Sequence, residues 1–454
     1  MKEESTGNSI LENEEDDSKR NIENISEISL ETEIKNDFKI KKNNFKCYFK
    51  CFSKNNRIIL TIILIIESII CSFNFFNIFA YFEIQTPFDS DLFNDYILLI
   101  LIEICFFSFF SMIIIENNFS IGIYLFNLLQ ILGCFFGIFQ NKQKFIFKEI
   151  SYFCFISSFP FLFNLFSKIY NIFFDYSNRI KILSLFFASF SFGSFLSFIF
   201  NNKFTIAETE DLIKIQKKIQ IIFILIYFIN LIFLFNPFPQ KFYSQSSRKK
   251  YNNYLTVKIK TSLINIFKQK DLLFSFIASI LFFLTIYNIF FIYKTKMRKD
   301  VCSSILFFFF GILGCLFINL FKFKNIKLYK KIMILCNLSV LFSLIFLIFS
   351  NKYISYIFNI INGFFFFGFL IVNLDFLIDI IFPFGESIAS TLILFFSSLF
   401  FFLIYFLKKK YKNNHIEIVI QFVSYIISLI IIIFNKKVIM KRFLIDGSDL
   451  NIKF

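Results

Sequence analysis

Apolar runs of about twenty residues recur along this chain, at about 58–82, 96–115, 119–139, 150–174, 182–200 and 219–236, and again at about 272–293, 302–321, 332–350, 354–381, 387–407 and 416–434. A helix needs ~20 such residues to cross the hydrocarbon core of a bilayer. The backbone polar groups of a spanning segment have to be satisfied inside the protein, which a helix does by itself. The chain is therefore expected to be an all-α membrane protein with twelve transmembrane helices. A hydrophobic content of 57% and a mean hydropathy of +0.67 fit a polytopic membrane protein and no ordinary soluble domain.

The spacing of the runs divides the chain. Residues 1–57 form a polar tail, acidic at first (Glu12, Glu14, Glu15, Asp16, Asp17) and basic toward the first span (Lys39, Lys41, Lys42, Lys46, Lys50). Such a segment cannot bury enough apolar surface to fold and is expected to be a disordered cytosolic tail. Residues 58–236 hold six spans, 237–271 a long basic linker, 272–434 six more spans, and 435–454 a short basic tail. Six spans, a cytosolic linker and six more is the outline of two parallel-repeat bundles with a site between them. Lys and Arg are more frequent on the side shared by the two tails, which places both termini in the cytosol.

The net charge of +16 does not point to nucleic acid, because the basic residues sit in short loops between apolar runs and no nucleic-acid motif accompanies them. The 80 Phe residues, beside an absence of Trp, match the compositional bias of an AT-rich genome and are expected mostly at lipid-facing positions. Nine scattered Cys without a CxxC pair, and the single His415 in a loop, supply neither a metal cluster nor a catalytic constellation. No cofactor and no enzymatic role are expected. Cys47 and Cys51 flank a basic, aromatic juxtamembrane segment and are candidates for palmitoylation.

Ionisable residues inside the spans are costly and normally face protein or a water-filled cavity. Glu67, Cys71 and Asn74 recur at i, i+4 and i+7 and so form a polar stripe on one face of the first span. Glu103 lies at comparable depth in the second span. Either acid can serve as counter-ion to a cationic cargo, as a proton carrier, or as a hydrogen-bonded acid that holds the first two helices together. The segment Gly363–Ser390 carries Asp375 and Asp379, four apart and on one helical face, then Pro383 and a third acid, Glu386.

This last segment resembles, without a gap, the tenth helix and following loop of the feline leukaemia virus subgroup C receptor-related transporters, a branch of the major facilitator superfamily. The matching positions are Gly363, Gly368, Asp375, Phe376, Asp379, Phe382-Pro383, Glu386 and Ser390. A second match covers Pro160-Phe161, Lys168, Phe173-Phe174 and Gly193, and a third the close pair Gly311 and Gly314. The loop after the second span, Glu116-Asn117-Asn118, keeps only the acid of the superfamily's basic loop motif.

The resemblance implies a twelve-transmembrane-helix major facilitator fold of two six-helix bundles. It also implies transport of a small amine such as choline or ethanolamine by alternating access. In the family an aromatic on helix one, a Tyr on helix seven and two Gln residues surround the cationic head group, and a cation is drawn to a ring face. The corresponding residues are Phe75, Tyr287, Ser191 and Ser398, so the amides have become hydroxyls and the cargo site loses polar contacts. Asn74 and Glu67 complete the expected substrate-binding set. Asp375, Asp379, Glu386 and Lys168 are expected to form a gate at the cytosolic end. The alternatives are a proton-coupled carrier of another metabolite, a vitamin or haem, and a transport-dead receptor or scaffold. The chain is expected to be a monomer in the lipid bilayer of the plasma membrane, with a small organic solute as its partner.

Overall fold

The computed structural model describes residues 54–85, 90–139, 145–174, 176–204, 209–234, 264, 266–296, 301–321, 326–348, 352–381, 385–411 and 416–435. Its helices are α1 (Lys54–Gln85), α2 (Ser90–Asn117), α3 (Phe119–Ile138), α4 (Phe145–Phe173), α5 (Tyr176–Phe204) and α6 (Thr209–Leu234), followed by α7 (Lys270–Lys296), α8 (Val301–Ile318), α9 (Ile326–Ile348), α10 (Lys352–Ile381), α11 (Glu386–Tyr411) and α12 (Ile416–Phe434). No strand occurs among the described residues. Cys47, Cys51, Pro383, His415 and most of the 237–271 linker fall outside them.

The helices extend beyond the apolar runs because polar residues at their ends are good helix starters. α6 begins at Thr209-Glu210-Asp211, ten residues before the hydropathy rises. A Thr followed by acids suits the positive end of a helix. α2 begins at Ser90 and so takes in Asp91 and Asp95. α5 begins at Tyr176, which draws Arg179 from an apparent loop into a helix. Between α2 and α3 only Asn118 intervenes, and its side chain accepts the Ile121 amide at 3.3 Å as an N-cap.

The twelve helices belong to one compact unit. Their packing repeats when each helix is exchanged for the one six places on. α1 packs on α5 as α7 does on α11, α2 on α4 as α8 on α10, α3 on α4 as α9 on α10, and α3 on α6 as α9 on α12. The contacts between the two sixes obey the same exchange, α2 on α11 matching α8 on α5 and α4 on α11 matching α10 on α5. The most enclosed spans are again an equivalent pair: 89% of the residues in the apolar stretches of α4 and of α10 are buried. On α2, by contrast, Leu99, Ile102, Phe106, Phe110 and Ile113 are exposed at helical spacing, the pattern of a lipid-facing stripe.

Lipid gives helices no hydrophobic reason to associate, so close backbone approach and shape matching have to supply the attraction. α8 and α10 cross through reciprocal glycines. A Cβ on Gly314 would strike the Phe364 carbonyl, and one on Gly363 would strike the Phe307 carbonyl. Gly193 does the same for α5 against α1, at the Ile69 carbonyl and the Ser72 hydroxyl. Between these crossings the space is filled with rings. Phe166 and Phe186 stack at 4.5 Å, Phe282 lies on Phe369 at 3.6 Å, and Phe307, Phe308, Phe366 and Phe367 form one interlocked group. The abundance of Phe is thus not confined to the lipid face: much of it packs the interior and the seam between the sixes.

Candidate functional site

A small cavity lies where α4, α5, α7, α10 and α11 converge, lined by Phe163, Phe187, Phe283, Asn373, Ser390 and Ile393 among others, with room for about one water molecule. Rings form most of its wall. Its polar groups are Asn373, whose oxygen accepts from Ser279 at 2.9 Å, and Ser390. A mostly apolar wall with a few placed polar groups is the usual lining of a small-molecule site, here closed down to the room of about one water.

Phe75 stands just behind this chamber. It stacks on Phe159 at 4.4 Å and 13°, and Phe159 in turn meets Phe163 at 4.8 Å, so an aromatic row runs from α1 into the wall. Tyr287 lies on α7, four residues beyond Phe283 and therefore on the same helical face; its side chain is outside what the structure describes. Ser191 donates to the Phe308 carbonyl at 2.8 Å across the α5–α8 contact, and Ser398 is buried on α11. Asn74 points away from the chamber, donating to Gln130 at 3.0 Å and toward Cys134 at 3.8 Å on α3. Among the expected cargo residues whose side chains are described, Asn74 and Ser191 bond to α3 and α8 respectively, and only Phe75 backs the chamber wall.

The acids of α10 also separate. Asp379 accepts from Arg179 of α5 at 3.2 Å, with both side chains fully buried, and Arg179 also reaches Asn171 at 3.2 Å. Asp375 accepts from Tyr329 of α9 at 2.6 Å. Asp379 thus ties α10 to the first six helices, while Asp375 ties it to its own six. Lys168 donates to the Ile115 carbonyl at 2.8 Å and pairs with Glu116 at 3.1 Å. Glu116 accepts from the Ser387 amide at 3.0 Å and from its hydroxyl. The chain Lys168–Glu116–Ser387 crosses from the first six to the start of α11, and Ser184 bonds Asn319 across α5 and α8 on the same side. Glu386, buried in the first turn of α11, sits where a helix dipole favours a negative charge. The acid of the Glu116-Asn117-Asn118 loop therefore makes an inter-half link without the basic residues of the usual motif.

One hub was not apparent in the sequence. Asn164 of α4 accepts from Ser390 at 2.6 Å and Thr391 at 3.1 Å of α11 and donates to Ser111 of α2 at 2.7 Å, and Ser167 meets Ser390 at 3.0 Å. Single Asn and Ser residues in apolar spans carry no periodic signal. Arg179 was hidden for another reason: it precedes the apolar run and resembles a topology-setting charge.

Glu103 accepts from Ser157 at 2.6 Å and so fastens α2 to α4, not to α1. Glu67 is fully buried and faces α3 and α6, where Asn127 and Asn230 lie beside its carboxyl group. Neither acid joins the first two helices to each other. Among the described residues no group of three or more His, Cys, Asp or Glu is placed to hold a metal ion.

No known protein-family profile and no curated protein sequence matches the chain. Its structure, however, matches solved transporters. A variant of the E. coli fucose:proton symporter FucP superposes with a TM-score of 0.60 at 12% identity, over 84% of this chain and 99% of that one. FucP in the outward conformation gives 0.60 at 11%, over 84% and 100%. The proton:xylose symporter XylE bound to 6-bromo-6-deoxy-D-glucose gives 0.59 at 11%, over 87% and 99%. At such identities the likeness is one of architecture, and the chain is accordingly an all-α, multi-pass membrane protein with the twelve-helix fold of the major facilitator superfamily.

Proposed function

We propose that this protein moves a small organic solute across the bilayer by alternating access of its two six-helix halves. The observation that carries this reading is the central chamber at the junction of α4, α5, α7, α10 and α11, set between halves whose packing repeats under a six-helix exchange. Rocking one repeat against the other around a fixed site is how such folds expose a cargo to each side in turn. A small amine, choline or ethanolamine, is the cargo class we favour. Phe163 in the chamber wall, backed by Phe159 and Phe75, offers a ring to a cation, and Tyr287 shares the α7 face of the lining residue Phe283. With Ser191 and Ser398 hydroxyls in place of longer amides, discrimination among amines is expected to be shallow.

In this reading Asp379 and Lys168, with Arg179 and Glu116, hold the tail-side ends of the halves together, and Asp375 and Glu386 complete the gate from the second half. Both tails face the cytosol, and the protein works as a monomer in the plasma membrane. Purified protein in proteoliposomes should show saturable uptake of radiolabelled choline that falls at least about tenfold in Tyr287→Ala. Absence of both binding and uptake across a panel of amines, sugars and vitamins would leave a transport-dead receptor or scaffold.

Coupling to an ion is a second reading, favoured by Glu67 and Glu103, acids buried within the first two helices. The solved structures of similar fold named above are of proton symporters. If protons drive transport, uptake rises with an inward proton gradient and loses that dependence in Glu103→Gln or Glu67→Gln.

A further inference from the structure

On α10 the residues Asn362, Phe366, Phe369 and Asn373 recur at i, i+4, i+7 and i+11 and so share one face. That face meets α7. Asn373 accepts from Ser279 at 2.9 Å, Phe369 lies on Phe282 at 3.6 Å, and Phe366 meets Phe283 at 6.4 Å. The residue numbers rise on α7 as they fall on α10, and the same register carried one turn further sets Asn362 opposite Tyr287. α8 flanks α10 in the same direction, with Phe307 beside Phe366 at 6.1 Å and its carbonyl against Gly363. Ser303 precedes Phe307 by four residues, so Ser303 and Asn362 both stand one turn beyond the Phe307–Phe366 ring pair. Both side chains are fully buried. The amide oxygen and nitrogen of Asn362 and the hydroxyl oxygen of Ser303 have no hydrogen-bond partner among the described residues. Leaving a buried polar group unmatched is costly, and an amide has no protonation state that would settle it. Its partner has to be a group that donates and accepts at once.

We propose that Asn362, helped by Ser303, binds the hydroxyl group of the cargo, which makes the cargo class the amino alcohols. This inference rests on the transport reading above and deepens it. A hydroxyl donates one hydrogen bond and accepts others, so a single one satisfies both ends of the Asn362 amide. The rings of Phe283, Phe307 and Phe366 lie one turn away, between Asn362 and the chamber, where a ring face can take the ammonium of the same molecule. The amide also makes good a loss. Where the resembled transporters carry two Gln residues this chain has Ser191 and Ser398, and Ser191 is committed to the Phe308 carbonyl. Asn362 supplies an amide from another helix. A water molecule could make the same hydrogen bonds, and it is the rival that the experiment has to separate from cargo.

The test compares two cations that differ only in the hydroxyl. Uptake of radiolabelled choline and of radiolabelled ethyltrimethylammonium, which has hydrogen in place of the hydroxyl, is measured in proteoliposomes of the full-length protein. Wild type should prefer choline by about tenfold or more, because the analogue leaves the amide unpaired. Asn362→Leu is close in size and removes the amide; it should lower choline uptake about tenfold, lower uptake of the analogue far less, and bring the preference to within about twofold of unity. Ser303→Ala should narrow the preference part of the way, and it decides the matter if Asn362→Leu does not fold. A preference unchanged in both variants would assign a water to Asn362 and overturn the proposal, with the transport reading left standing. An equal loss of both cations in Asn362→Leu would make the residue a helix-packing group and overturn it too, as would a wild type that takes up the two cations alike. A wild type that moves neither cation would overturn the amine reading itself, and this inference with it.

Discussion

The two halves share a packing plan but differ in chemistry at equivalent places. In the first half, α1, α3 and α6 enclose Glu67, Asn127, Tyr227 and Asn230, with several polar atoms unpaired. In the second, α7, α9 and α12 place Asn337, Tyr425 and Ser428 in the corresponding region. There Asn337 donates to Ser428 at 3.0 Å and Ser428 donates on to the Ala278 carbonyl at 2.9 Å, while the Asn337 amide oxygen has no hydrogen-bond partner among the described residues. Tyr and its polar neighbour are three residues apart in both halves, Tyr227 and Asn230 matching Tyr425 and Ser428. One version of the motif carries a buried carboxylate, and the other a hydrogen-bond chain that fastens α9 to α12 and α12 to α7. The seams between the halves differ in the same way. Where α5 meets α10 the contact is the ion pair Arg179–Asp379, and where α11 meets α4 it is the neutral set Ser390, Asn164 and Ser167. Duplicated architecture fixes where helices cross; the side chains at each crossing decide whether it is a fastener or a functional site.

The largest effect should come from breaking the charged seam. Arg179→Met leaves Asp379 buried without its cation, which typically costs about 3–5 kcal/mol. The double variant Arg179→Met, Asp379→Asn should recover much of the loss in unfolding experiments; an Arg179→Met protein as stable as wild type would show that the pair does not hold the seam. Next in size, Gly314→Val and Gly363→Val each press a side chain into a facing carbonyl that cannot move aside. Both should sharply lower the yield of monodisperse protein, and normal yield would mean that α8 and α10 do not cross as described.

Much of this was legible beforehand and some was not. The twelve spans follow from the length and apolarity of the runs, and the stripe Glu67, Cys71, Asn74 is a periodic signal that one helix displays on its own. Its partners could not be read. Asn127, Tyr227 and Asn230 are single polar residues on other helices, and only packing brings them together. Asp375 and Asp379 do share a face, but a face wide enough to touch α5 and α9 sends them to different halves. Arg179 lies outside the apolar run because hydropathy starts α5 six residues too late. The polar turns at helix ends continue the helix although they end the apolar run.

The neutral contacts should show smaller changes. Ser390→Ala removes hydroxyl bonds to Asn164 and Ser167, and interhelical hydrogen bonds in membranes average about 0.6 kcal/mol, reaching about 1.7. Unfolding in mixed micelles should register a loss in that range, well below that of Arg179→Met. Ser428→Ala in the second half should lie at the lower end of that range. A loss in Ser428→Ala as large as that in Arg179→Met would break the contrast between charged and neutral contacts.

The claim on which the rest depends is that the halves move against each other and that Arg179–Asp379 restrains their tail-side ends. Spin labels at Asn117→Cys and Lys327→Cys, exposed positions on α2 and α9, report the separation of the halves at that end. Native cysteines are removed first, and pulsed dipolar spectroscopy is recorded on the reconstituted protein. The account predicts a distribution dominated by the shorter distance with Arg179 present, and growth of a second, longer population in Arg179→Met. One unaltered distance in both proteins, with Arg179→Met shown to be folded, would contradict it.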